Sequence, residues 1–232
     1  MEAARGRGRA LLIDLDGTLV DSLPDLMTAI NRLLAAEGRA ALAAEEVRLM
    51  VGDGAARLVE RAFVARGGLA GDCGGKSLPD LVERFLAIYE ADPVARTRPY
   101  PGAAETLAAL AAAGWRLAVC TNKPEAASRK VLDGLGLAPL FQAVAGGDSF
   151  PVRKPDAGHL LGTLGGLGVE PKRAVMLGDS ANDLQAARNA GLPVILVSFG
   201  YTRTPARALG ADAVIDAFAE LPDALARLGF GA

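Results

Sequence analysis

Hydrophobic and polar positions along the chain change rhythm twice. Residues 10–13 form a short unbroken apolar run, the pattern of a buried strand. From residue 23 to about 91 the apolar positions recur only at helical spacing. Leu26, Ile30, Leu33 and Leu34 share a face of residues 23–38, with Pro24 near the start. A short helix is expected over 45–50. Leu58, Val59, Ala62 and Phe63 line a helix over 55–66, and Leu81, Phe85 and Ile88 one over 79–91. The glycine-rich stretch 67–76 is expected to be a mobile loop, and 92–99, with two prolines, a return linker.

From Tyr100 strands alternate with helices. Helices are predicted over 103–113, 125–135, 156–167 and 182–190, and strands over 115–120, 143–145, 174–177 and 193–197. The tail adds a short edge strand over 213–215 and a closing helix over 219–228. Such alternation predicts an α/β fold: a Rossmann-like parallel sheet with helices on both faces. An α-helical domain is inserted after the first strand. The expected division is a core of residues 1–20 and 96–232 and an insert of 21–95.

Composition narrows the picture without changing it. Of 232 residues, 51% are hydrophobic and 22% charged, as in a globular protein. The net charge of −2 gives no broad basic patch, so nucleic acid is not an expected partner. The apolar run before Asp14 is too short for a signal-peptide core or a membrane span. Residues 1–9, with Arg5, Arg7 and Arg9, read as a frayed terminus. Cys73 and Cys120 lack metal-ligand spacing, which suits a reducing compartment, and a cytoplasmic protein is expected. Either a monomer or a homodimer fits the sequence.

Chemistry concentrates where the strands end. Open parallel sheets bind ligands beyond the carboxyl ends of their strands. Those ends carry Asp14 and Asp16, then Thr121 and Asn122, then Asp148, then Asp179, and Lys154 stands just before a helix. Asp14 and Asp16 are two apart on an extended stretch and point the same way, where they repel unless a cation or a proton lies between them. A carboxylate can act as a nucleophile towards phosphorus. Mg²⁺ favours one or two carboxylates with phosphate oxygens and water, a role open to Asp14 and Asp179 with Asp16 beside them. Thr121 can donate to a phosphoryl oxygen, Lys154 can balance its charge, and Asp16 can move the proton of the leaving oxygen. Asp148 serves equally well as a rim acid or as a turn residue.

These residues resemble the haloacid dehalogenase superfamily. Asp14-Leu15-Asp16-Gly17-Thr18, Thr121, Lys154, and Gly178-Asp179-Ser180 with Asp183 match its four motifs in order. The helical insert matches the superfamily's cap. Leu15 to Ser22, Val51-Gly52-Asp53-Gly54-Ala55 and Cys120-Thr121-Asn122-Lys123-Pro124 are similar to its phosphoglycolate phosphatase branch. Ile13 replaces a more usual phenylalanine, Asp53 a commoner asparagine, and Pro155-Asp156-Ala157 lacks a frequent second proline.

The resemblance implies a Mg²⁺-dependent phosphatase of a small phosphorylated metabolite, first of all 2-phosphoglycolate, acting through an aspartyl phosphate. Asp14, Asp16, Thr121 and Lys154 would be catalytic. Thr121, Asn122, Lys154 and Gly54 would bind substrate, Asp14, Asp16 and Asp179 would hold the metal, and Asp183 would support the metal or Lys154. Another sugar phosphate, a nucleotide or pyrophosphate is the nearest alternative substrate. A receiver-type signalling module, phosphorylated on aspartate, is the alternative of another class. The helical insert and the acid two residues after the nucleophile weigh against it. Asp53 is expected to turn from the ligand and cap the helix begun at Ala55, and Asp21 and Ser22 to cap the insert's first helix. Arg57 and Arg61, one turn apart, read first as a solvated face, with a substrate carboxylate as the alternative partner for one of them, and His159, the one histidine, is read as structural.

Overall fold

The computed structural model describes residues 8–68 and 76–231. Six strands form one sheet: β1 (Arg9–Ile13), β4 (Trp115–Cys120), β5 (Ala143–Ala145), β6 (Ala174–Gly178), β7 (Val194–Val197) and β8 (Ala213–Ile215). Their order is β5-β4-β1-β6-β7-β8, and every pairing is parallel. Leu12 lies opposite Ala118 on one side and Met176 on the other, so β1 is the centre from which the strand order departs in both directions. That is the position where a crevice opens at the carboxyl edge of a sheet.

The sheet is covered on both faces, which is why its strands read as continuous apolar runs. Alternate residues of each strand enter different cores. Leu11, Ile13, Leu117, Val119, Val175 and Leu177 pack with Leu107 of α5 (Ala103–Ala112), Val131 of α6 (Glu125–Gly134) and Leu221 of α9 (Leu221–Leu225). Leu12, Ala118 and Met176 pack with Leu160 of α7 (Ala157–Leu167) and Ala186 of α8 (Ala181–Ala190).

Between β1 and β4 lies the insert: α1 (Leu23–Ala36), α2 (Ala44–Arg48), α3 (Ala55–Val64) and α4 (Leu78–Glu90). The predicted apolar faces are the buried ones, except that Ile88 is half-buried and Tyr89 beside it takes the buried place. Leu26, Ile30, Leu33, Leu58, Phe63, Leu81 and Phe85 join the core that Leu11 and Ile13 enter. The chain enters and leaves the insert through a two-residue antiparallel ribbon, β2 (Val20–Asp21) with β3 (Arg98–Pro99). Asp25 fastens that crossing. Its buried carboxylate accepts from the amides of Arg96 and Thr97 at 2.8–3.1 Å and from the Thr97 hydroxyl at 2.7 Å. Hydrogen bonds to a charged group contribute about 1.5–3 kcal/mol each, so this staple is a strong one.

Several expectations shift. The ribbon strand at Arg98–Pro99 falls inside the predicted linker. The closing helix is shorter than expected, running Leu221–Leu225 before a wider turn over Ala226–Phe230 in which Gly229 has φ 85°. The expected frayed terminus over 1–9 lies mostly outside the described residues, although Arg9 already belongs to β1. The predicted loop over 67–76, with Cys73, lies mostly outside them too. No helix among the described residues is long and apolar enough to cross a membrane.

Candidate active site

Asp14 continues β1: its amide donates to the Leu177 carbonyl at 2.9 Å, which fixes its side chain at the sheet's edge. A tight turn then returns the chain, with Leu19 and Val20 amides both donating to the Leu15 carbonyl. Gly17 sits in that turn at φ 85°, and a Cβ there would lie 2.5 Å from the Asp179 carboxylate and 2.9 Å from the Tyr201 ring. Only glycine satisfies both the backbone and the space.

Lys154, 3% exposed, reaches into the sheet's edge from the start of α7. Its ammonium lies 2.8 Å from Asp14 Oδ1 and 2.6 Å from Asp183 Oδ1. Asp183 Oδ2 accepts from the Asp179 and Ser180 amides and from the Ser180 hydroxyl, so one side chain both caps α8 and positions Lys154. Asp179 Oδ2 accepts from the Tyr201 amide at 2.6 Å.

The ligand atoms of Asp14, Asp179 and Asp183 all lie within 4.8 Å of one another, and all three residues are buried. Burial pushes the Asp14 carboxyl up to about 6 against the pull of Lys154, with Asp183 adding to the rise. Burial likewise raises Asp179, and Asp183 and Asp14 raise it further. Burial alone would lower Lys154, but Asp14 and Asp183 outweigh it and its ammonium is held above the ordinary range. Three carboxylates around one ammonium leave uncompensated negative charge. No hydrogen bond among the described residues reaches Asp14 Oδ2. An oxygen-only donor set of this charge fits a hard divalent cation such as Mg²⁺, with Asp14 and Asp179 as its carboxylates.

Asp16, expected among the metal ligands, stands outside this group. The Lys123 ammonium lies 3.1 Å from both its oxygens, and the Ser22 hydroxyl donates to Oδ1 at 2.5 Å. Ser22 therefore does not cap α1, whose N-terminus has no side-chain cap. Asp21 does accept from the Leu23 amide at 3.3 Å, and also from the Tyr201 hydroxyl at 2.6 Å.

Thr121 and Asn122 follow β4, and both are buried. Thr121 Oγ1 accepts from the Lys123 amide at 3.3 Å. Asn122 Nδ2 donates to Lys154 O at 3.0 Å and to Gly52 O of the insert at 3.1 Å. The amide thus ties the insert's turn to the backbone of Lys154, and Oδ1 is buried without a partner. Gly54 lies over it with φ 89°, where a Cβ would come within 3.1 Å of the Asn122 carbonyl.

Asp53 does not cap α3. Its carboxylate accepts from Asn182 Nδ2 of the core at 2.6 Å and pairs with Arg61. Burial would raise this carboxyl, but Asn182 and Arg61 overcome it and hold it below the ordinary range. Arg57 pairs with Glu60, and Arg61 with Asp53 and the Met50 carbonyl, so each already has partners within the insert. Asp148 accepts from the Glu125 amide and is a turn residue at the start of α6. His159 is structural but reaches a strand end: its Nε2 lies 3.0 Å from the Gly146 carbonyl, and burial lowers it to about 4, which keeps it neutral.

Three residues of the site went unassigned in the sequence. Lys123 had a signal, since it follows Thr121 by two on the same strand end. Tyr201 lies beyond the end of β7, a place the strand-end rule covers. Ser22 carried no signal, since a serine before a helix reads first as a cap.

A chain so arranged has clear relatives. The family model of haloacid dehalogenase-like hydrolases matches residues 9–191. A phosphoglycolate phosphatase of Rhodospirillum rubrum is 50% identical over 216 residues, 93% of this chain and 90% of that one. Among solved structures, a predicted phosphoglycolate phosphatase of Haemophilus somnus 129PT superposes with a TM-score of 0.86 at 34% identity, covering 92% of this chain and 96% of that one. A CbbY variant of Rhodobacter sphaeroides in complex with xylulose-(1,5)bisphosphate superposes with a TM-score of 0.79 at 30% identity, covering 92% and 96%.

Proposed function

The chain belongs to the haloacid dehalogenase-like hydrolases, and from that premise we propose that it is a Mg²⁺-dependent phosphatase of 2-phosphoglycolate. The observation that carries the reading is the buried cluster at the end of β1, where Asp14 faces one ammonium and two further carboxylates. That cluster suits an attack by carboxylate on phosphorus, and the phosphoglycolate phosphatase relatives supply the substrate class.

Asp14 attacks the phosphorus, and the ester oxygen leaves as Asp16 delivers a proton to it. Lys154 and the Thr121 hydroxyl hold the phosphoryl oxygens while charge shifts onto them. In the second half, Asp16 takes a proton from water, the water oxygen attacks the aspartyl phosphate, and phosphate leaves with Asp14 restored as a carboxylate. Bound Mg²⁺, held by Asp14 and Asp179 with Asp183 in support, supplies positive charge against the phosphoryl oxygens. Asp16 serves as acid and base, since Lys123 and Ser22 hold it in the cavity that Asp14 and Thr121 also line.

Residues 21–95 act as the cap on this reading. Gly52-Asp53-Gly54 is latched to the core by Asn122 and Asn182, which closes the site against water. Gly54, without a Cβ, lets the N-terminus of α3 approach the ligand, whose carboxylate its amides favour. The cavity between insert and core measures about 40 Å³ and is lined by Asp14, Asp16, Gly54 and Thr121 among others. At about 10–15 Å³ per water, it has room for about three or four waters, a small space that favours a small ester.

A phosphate-release assay across metabolite phosphates tests the assignment. With Mg²⁺, kcat/KM for 2-phosphoglycolate is expected to exceed that for hexose phosphates, nucleotides, pyrophosphate and xylulose-1,5-bisphosphate by at least about tenfold, the scale of a single polar interaction with the substrate. Chelation is expected to abolish release and added Mg²⁺ to restore it. Preference for a larger ester, or full activity in chelator, contradicts the proposal.

A further inference from the structure

The phosphoryl group accounts for Asp14, Thr121 and Lys154, but apart from the backbone amides at the start of α3 no charged group so far meets the other end of the substrate. The arginines of α3 are spent on Glu60, Asp53 and a carbonyl. One cation remains in the cavity: among the residues that line it, Lys123 alone is positively charged, against walls that include Leu58, Phe85 and Leu86.

Lys123 is 6% exposed and comes from the core, yet its ammonium lies 4.3 Å from the centre of the Tyr89 ring on α4 of the insert. Tyr89 is 2% exposed, and its hydroxyl, set beside the Lys123 ammonium, has no acceptor for its own proton among the described residues. A buried hydroxyl proton without an acceptor is unfavourable, and phenylalanine would fill the same space without that cost. The hydroxyl is therefore a donor lacking its acceptor. Asp16 engages the ammonium through both oxygens, but an ammonium has three donors. In an apolar cavity the attraction between ammonium and carboxylate is stronger than in water.

We propose that Lys123 and the Tyr89 hydroxyl together bind the substrate's second anionic group, a carboxylate one carbon from the phosphate ester, and so set specificity. Tyr89 reaches that carboxylate from the insert and Lys123 from the core, so a substrate bearing it joins the two parts. A neutral ester of the same size leaves both donors unmatched. The inference rests on the phosphatase reading above and assigns its specificity to two residues.

Binding to Asp14→Asn, which is expected to hold substrate without turning it over, separates the two ideas. Calorimetry with Mg²⁺ compares 2-phosphoglycolate with the phosphate ester of glycolamide, its neutral isostere. Asp14→Asn is expected to favour the carboxylate by about 10- to 100-fold, the scale of a charge-assisted hydrogen bond. Adding Lys123→Met should bring that preference to within about threefold while the amide ester binds nearly as before. Adding Tyr89→Phe should lower it about 3- to 10-fold, as for one neutral donor. Equal weakening of both ligands by Lys123→Met shows a residue that only orients Asp16 and overturns the inference. If the Lys123 variant fails to fold, Tyr89→Phe decides, and an unchanged preference overturns it. Absence of any preference in Asp14→Asn itself defeats the substrate reading, and this inference with it.

Discussion

Asp14→Asn is expected to reduce turnover of 2-phosphoglycolate by roughly 10⁴-fold or more, the scale seen when a nucleophile is removed from an enzyme. The amide keeps the shape and nearly the volume of the carboxylate, but its nitrogen and oxygen are poor nucleophiles towards phosphorus. Stability should not fall with activity. Burial holds the Asp14 carboxyl near 6, above its ordinary value of 3.8, so the fold disfavours the charged form. For an acid with a raised folded-state value, stability is lost as pH rises from the ordinary value of 3.8 and the loss is complete above about 6. Asp14→Asn removes this cost, and Lys154 keeps Asp183 at 2.6 Å. In chelator at pH 7.5 the variant should therefore melt at or above the wild-type temperature. Substantial residual turnover, with deamidation excluded, contradicts the nucleophile assignment. A lower melting temperature contradicts the electrostatic account of the cluster.

Asp16→Ala should lose about 10²- to 10⁴-fold in the phosphorylation step with 2-phosphoglycolate, the usual range for a general acid. Glycolate leaves as an alkoxide unless it is protonated. p-Nitrophenolate is stable without a proton, so an aryl phosphate should lose roughly tenfold or less in that step. The comparison is made by single turnover, since the second half-reaction needs Asp16 as base for both substrates. Lys123 and Ser22 hold the carboxylate within the cavity that Asp14 and Thr121 also line, which gives it access to the leaving oxygen. Equal losses for the two esters would show that Asp16 acts by other means, for instance as a metal ligand.

Much of this was legible because local rules and global fold agree. The apolar run ending at Asp14, the alternation after Tyr100 and the helical faces of Leu58 and Phe63 depend on neighbours within a few residues, and periodicity reports them directly. Lys154 and Asp183 were readable because motif order carried their meeting across 29 residues. What escaped depends on contacts that no local pattern encodes. Asp53 stands at a helix start and reads as a cap, yet its partner is Asn182, 129 positions away. Ser22 reads as a cap for the same reason, and the acid six residues before it claims its hydroxyl. Tyr201 donates one hydrogen bond to Asp21 of the β2 ribbon and another to Asp179 of the acidic cluster. Its sequence surroundings, a loop after the last clear strand, mention neither. The arginines of α3 show the converse: charge placed near a site in sequence is spent on neighbours once the chain folds.

The reading stands or falls on a covalent bond between Asp14 and the phosphoryl group. The direct measurement is rapid acid quench of the enzyme with Mg²⁺ and 2-phosphoglycolate on the millisecond scale, followed by peptide mapping by mass spectrometry. The prediction is one phosphoryl group on the peptide from β1, located on Asp14, appearing before free phosphate accumulates and absent in Asp14→Asn. A phosphate burst with no phosphorylated peptide at any time, or a phosphoryl group on another side chain, would contradict it.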